Sequence, residues 1–123
     1  VPDGVLTRDS PFAFALTLER IEQAIAKRGL TLFAKIDHCQ AARQAGLAMQ
    51  PATVLVFGNP RIGTPAMLAE PLAALDLPLR TLVWEHDGRV RISYQQPAFV
   101  AARFGIPAEI PAHAETLIDS ALG

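Results

Sequence analysis

Apolar positions along the chain switch between two periods, and the switches mark the elements. Phe14, Leu18, Ile21 and Ile25 recur at spacings of four, three and four, which is one face of a helix. Glu19, Arg20, Glu22, Gln23 and Lys27 fall mostly on its other face, and Gly29 closes it after Arg28. Ahead of it runs a polar entry from Val1 to Pro11, with Val5-Leu6-Thr7 as a first strand ending near Arg8. Thr31 to Asp37 reads as a strand with Leu32, Ala34 and Ile36 on one face and Phe33, Lys35 and Asp37 on the other. Cys39 to Ala45 reads as a short helix closed by Gly46, and Leu47 to Pro51 as a connection. Thr53 to Phe57 is apolar at consecutive positions, the pattern of a strand covered on both faces. A glycine-bounded loop, Gly58 to Thr64, follows. Thr64 suits an N-cap and Pro65 a first helical position. That helix is interrupted at Pro71, and Asp76-Leu77-Pro78 leads back into the sheet.

The sharpest local signal is a hairpin. Leu79 to His86 and Arg89 to Gln95 flank Asp87-Gly88, a preferred pair for a two-residue type I′ turn. In that register His86 faces Arg89, Glu85 faces Val90, Trp84 faces Arg91 and Val83 faces Ile92. Thr81, Val83, Val90, Ile92 and Tyr94 then share one sheet face, and Leu82, Trp84, Arg91 and Ser93 the other. Pro97 starts a helix carrying Phe99, Val100 and Phe104, and a last helix after Pro107 carries Ile110, Ala114, Leu117, Ile118 and Ala121.

Composition narrows the class. The 123 residues are half hydrophobic and 19% charged, which describes one folded domain rather than a disordered chain. A net charge of -1 supplies no electrostatic footprint for nucleic acid. No apolar run reaches the length of a membrane span, so no membrane partner is expected. A single cysteine excludes an internal disulfide. The expected compartment is the cytoplasm; export is the alternative, because the chain begins at Val1 rather than Met and a segment ahead of it would not be visible.

Five motifs occur in a recognisable order: Phe33-Ala34-Lys35-Ile36-Asp37-His38, Phe57-Gly58-Asn59-Pro60-Arg61-Ile62-Gly63-Thr64, Leu75-Asp76-Leu77-Pro78-Leu79, Val83-Trp84-Glu85, and Ser93-Tyr94 with Pro97-Ala98. Through them the chain resembles the DUF 302 family of bacterial proteins over about residues 5 to 106, with the last helix outside the resemblance. The resemblance implies a small α+β domain of the TATA-binding-protein-like type: an antiparallel sheet with helices mainly on one face, in a β-α-β-β-β-β-α-like order, plus the C-terminal helix. It implies neither DNA binding, since fold does not carry function, nor an established activity. At the Arg61 position the family more often has lysine, which keeps the charge; Cys39 is not part of its pattern.

Candidate chemistry gathers at two places. Gly58 to Thr64 has the spacing G-x-x-x-x-G-T between a strand and a helix, but lacks the lysine of a phosphate-binding P-loop. What it keeps is a helix start that attracts anions, with Arg61 able to add a charge-assisted contact. Gly63 would allow close approach and Thr64 would cap or donate a hydroxyl. The bland reading is a tight connection in which Asn59 bonds its own backbone. Asp37 and His38 end another strand and are expected across the same cleft, so the candidate ligand site is Asp37, His38, Asn59, Arg61, Gly63 and Thr64. Asp37-His38-Cys39 offers three metal-ligand types, but neighbours at a strand end point apart, and His86 and His113 are remote. A helix cap by Asp37 or His38 is the plainer role. No metal and no cofactor is implied.

The function expected is a ligand-binding or sensor module for a small anion. The alternatives are a structural, self-associating domain and a thiol redox protein using Cys39, since a helix start favours a thiolate. No catalytic constellation is complete, which leans away from an enzyme. A homodimer is expected through the sheet face bearing Leu82, Trp84 and Arg91, with the C-terminal helix as the competing cover for that face.

Overall fold

In the computed structural model, which describes residues 2–123, β1 (Val5–Asp9) leads to α1 (Phe14–Lys27), β2 (Thr31–Asp37), α2 (His38–Gln44) and β3 (Ala52–Gly58). Then come α3 (Pro60–Ala69), a 3-10 turn (Pro71–Leu75), β4 (Leu79–His86), β5 (Arg89–Gln95), α4 (Pro97–Phe104) and α5 (Glu109–Leu122). Val1, the head of the expected polar entry, lies outside the described residues. The strands form one antiparallel sheet in the order β1-β5-β4-β3-β2, an α+β architecture.

The hairpin register is the one the Asp87-Gly88 turn dictates: His86 pairs with Arg89, Trp84 with Arg91 and Val83 with Ile92. Asp87 and Gly88 both take positive φ, 51° and 75°, as a type I′ turn requires. Alternation along the pleat then sends Leu55, Phe57, Val83 and Ile92 to one face, where they meet Ile21 and Ile25 of α1 and Leu117 and Ile118 of α5. All eight are essentially shut from water. Burying a side chain of this size contributes about 1.5 to 3 kcal/mol, so this layer holds the fold. A smaller cluster of Ala66, Ala73, Val100 and Ile106 joins α3, the 3-10 turn and α4.

Four expectations need correction. The C-terminal helix does not cover Trp84; α5 packs with α1 on the opposite face. Thr53 to Phe57 is therefore covered by this chain on one side only: Thr53, Leu55 and Phe57 are buried, while Val54 and Val56 stay half-exposed. The simple alternation of β2 fails because the register slips by one residue between Leu32 and Ala34. Leu32 pairs with buried Phe57 and Ala34 with Val56, which puts these two on opposite faces and leaves Phe33 as the unpaired residue of a bulge. Finally, α3 begins five residues earlier than Thr64-Pro65 suggests. Asn59-Pro60 is itself a cap and first-turn proline, and it comes first along the chain; Pro65 sits inside the helix.

Candidate functional site

The end of β3 and the start of α3 form one rigid corner. Asn59 Oδ1 accepts the Arg61 N–H at 3.0 Å, and its own carbonyl accepts the Ile62 and Gly63 N–H groups at 2.9 and 2.8 Å. Pro60 has no N–H to offer. The first-turn amides that would hold an anion are thus already bonded within the corner, and the charge left at this helix start is the exposed guanidinium of Arg61. Arg61 forms no ion pair with a described residue.

Beside this corner opens a groove of about 280 Å³. Leu30 and Phe33 come from the start of β2, Gly58 through Pro60 and Ile62 through Thr64 from the corner, and Met67 from α3. Leu77, Pro78 and Leu79 form the entry to β4, and Ile110 and His113 come from α5. The walls are overwhelmingly apolar. Phe33 is half-exposed there even though it lies in a strand, because the bulge frees it from the ladder. At Gly58 a Cβ would lie 3.5 Å from Pro78 Cβ and 4.0 Å from Phe33 Cε2, so the Phe33 and Pro78 rings both close on bare backbone. The polar groups in the lining are few: Asn59, Thr64 and His113. Among the described residues, neither the Thr64 hydroxyl nor the His113 ring has a hydrogen-bond partner.

Of the residues expected at one cleft, Asn59, Gly63 and Thr64 line this groove and Arg61 lies next to it on the first turn of α3. Asp37 and His38 do not belong to it. β2 and β3 are antiparallel, so Thr31 pairs with Gly58 while Asp37 pairs with Thr53 at the far end of β3. Two strand C-termini share a cleft when the strands are parallel; here they lie five residues apart along β3, about 17 Å. Asp37 has the plainer role: its carboxylate accepts the Gln40 N–H at 2.9 Å and caps α2. Cys39, on the first turn of α2, is half-buried; its thiol donates to the Met49 carbonyl at 3.2 Å, and Arg43 Nη2 lies 3.8 Å from the sulfur. No three His, Cys, Asp or Glu side chains among the described residues gather as a metal cluster. Sequence reasoning missed Phe33, Met67, Pro78, Ile110 and His113 as groove residues. The available signal was Phe33, a large apolar residue on the face assigned to Lys35 and Asp37.

The second surface of note is the uncovered sheet face. Pairing aligns Thr7, Ser93, Leu82, Val54 and Ile36 in one row, and Asp9, Arg91, Trp84 and Ala52 in the next. Trp84 Nε1 donates to Ser93 Oγ at 2.9 Å, and the Arg91 guanidinium lies 5.5 Å from the Trp84 ring centre. Arg91 Nε is 3.5 Å from the Asp9 carboxylate, an ion-pair distance without hydrogen-bond geometry.

An antiparallel five-stranded sheet, helices on one face and a groove at the β3–α3 corner define a small α+β domain. The chain belongs to the family described as "Domain of unknown function DUF302", whose model matches residues 6–122 and so takes in α5, which the resemblance over about residues 5 to 106 left outside. The crystal structure of an uncharacterized conserved DUF302 protein from Bacillus stearothermophilus superposes with a TM-score of 0.81 at 21% identity, covering 98% of this chain and 97% of that one. That likeness shows the fold. Two proteins described as "Fluoride-specific ion channel FluC 1", from Brucella suis and Brucella abortus, are each 35% identical over 107 residues, 86% of this chain. This chain spans 42% and 40% of their lengths, about two fifths of the relatives it matches. None of its own helices is long and apolar enough to cross a membrane, among the described residues.

Proposed function

We propose that this chain is a small-molecule-binding or sensor module whose site is the groove beside Gly58 to Thr64. The observation that carries the reading is the groove itself: apolar walls, a bare-backbone floor at Gly58, and unpartnered Thr64 and His113 groups on its lining. A pocket of that kind takes its affinity from apolar contact and its orientation from a few polar groups. The ligand is an organic molecule with an apolar body, and an anionic end, where present, is met by Arg61. Inorganic anions have little to gain, because the corner's amides are already bonded.

The test is a thermal-shift panel of aromatic and aliphatic carboxylates and alcohols, with phosphate, sulfate and fluoride as inorganic arms. A ligand at a hundred times its Kd stabilises by about 2.7 kcal/mol, which is several degrees of melting temperature. The expected result is a shift with an organic compound in the wild type and none in Met67→Trp, whose indole fills the groove. A shift with inorganic anions alone, lost in Arg61→Ala, contradicts the groove and supports a plain anion site. The fluoride arm has a specific motive: the Brucella relatives are described as fluoride channels, and in a longer chain of that kind this domain would sit as an accessory to the rest.

We further propose a homodimer through the face carrying Leu82, Trp84 and Arg91. What favours it is that the half-exposed Val54, Val56, Leu82 and Trp84 lie outside the core that α1 and α5 cover, and that Ile36 beside them is 43% exposed. Contiguous apolar surface of this kind marks an interaction site.

A further inference from the structure

The lining of the groove narrows the class of molecule it takes, an inference that rests on the binding reading above. We infer that the ligand is a planar aromatic compound of about 10 to 14 non-hydrogen atoms with one hydrogen-bonding group, held against Phe33 and oriented by His113. Size comes from the groove volume of about 280 Å³, which a two-ring compound fills.

Shape comes from the walls. The β2 bulge turns Phe33 out of the ladder and leaves it 50% exposed at the groove, an apolar ring at a strand position where water makes it costly. Pro78 approaches the same stretch of bare Gly58 backbone, its Cβ 3.5 Å from where a Gly58 Cβ would stand. Gly63 is likewise bare, with only the flexible Met67 methyl 3.9 Å from where a Cβ would stand. Rings and bare peptide present flat surfaces, and Met67 can adjust against an aromatic edge. A flexible alkyl chain would gain the same apolar contact but would give up its rotational freedom, and nothing in the walls repays that with ring stacking.

Polarity comes from His113, half-buried on α5, whose ring has no partner among the described residues. In its neutral form the imidazole offers one donor and one acceptor, so it can satisfy a hydroxyl. One such group on an otherwise apolar ligand matches a lining with so few polar atoms.

The experiment is a calorimetric titration of the full chain with 2-naphthol, naphthalene and decanoate, on wild type, Phe33→Leu and His113→Leu, each variant checked by its circular-dichroism melt. The expected order is 2-naphthol tightest. Phe33→Leu should weaken 2-naphthol about fivefold and leave decanoate unchanged, because an aromatic pair gives up its ring contact while apolar area is largely kept. His113→Leu should remove the advantage of 2-naphthol over naphthalene, about fivefold for one hydrogen bond. Decanoate binding as tightly as 2-naphthol, or 2-naphthol binding unchanged in Phe33→Leu, overturns the planar class while leaving the groove as a binding site. Binding by none of the three at millimolar concentration, with no hit in the thermal-shift panel, overturns both.

Discussion

Single side chains in this fold carry burdens that a substitution can lift. The Thr81 hydroxyl is fully buried between Leu55 and Tyr94 on the sheet and has no hydrogen-bond partner. Thr81→Val keeps the shape and removes the orphaned group, so it should raise stability by about 1 kcal/mol in urea unfolding. Tyr94 behaves differently. Burial first, and then the Glu115 carboxylate, push its phenol above the ordinary value of 10.0, with Arg8 opposing. The folded chain therefore holds this proton at a pH where the unfolded chain releases it. The contribution is intact below about pH 10 and is lost as pH rises through the raised value, so stability should fall on that alkaline limb. Tyr94→Phe should flatten the limb, and urea midpoints measured between pH 9 and 11 on both proteins check it; parallel limbs would reject the assignment. In the sequence Asp76 stands before Leu77-Pro78, a place that suits a turn residue. It is that, and its largely buried carboxylate also joins Arg80 at 3.2 Å and Arg103 at 3.0 Å, a pairing no local pattern announces.

At the scale of elements, what was legible depended on whether the signal was local. The hairpin was readable to the residue because Asp87-Gly88 sets both the turn and the register. α1 was readable because its apolar stripe has the helical period and Gly29 follows it. The start of α3 was not, since two cap-proline pairs, Asn59-Pro60 and Thr64-Pro65, lie within seven residues and only the chain's exit from β3 selects between them. Asn59→Ala should accordingly cost about 1 kcal/mol of stability, the usual loss for an N-cap, whereas Thr64→Ala should cost little. Equal losses at both positions would restore Thr64 as the cap. The β2 bulge was also invisible, because it depends on how β2 meets β3. The two halves of the expected ligand site separated for the same reason: antiparallel pairing of β2 with β3 is a long-range fact, and it carries Asp37 and His38 to the far end of the sheet.

At the scale of the whole molecule two surfaces carry the proposals, the groove and the sheet face bearing Trp84. For the face, light scattering at tens of micromolar should report a dimer, and Trp84→Ala should shift it toward monomer, since a central Trp is a common anchor. A monomer mass for the wild type would end that proposal without touching the groove. The groove is the central claim, and it is tested most directly by mapping where a ligand touches the chain. The measurement is a ¹H–¹⁵N correlation spectrum of the labelled protein titrated with the best compound of the thermal-shift panel. The expected result is a saturable set of amide shifts at Phe33, Gly58 to Thr64, Met67, Leu77, Ile110 and His113, with Asp37, His38 and the Leu82–Trp84 face unmoved. Shifts centred on Asp37 and His38, or spread over the open sheet face with the groove silent, would contradict it.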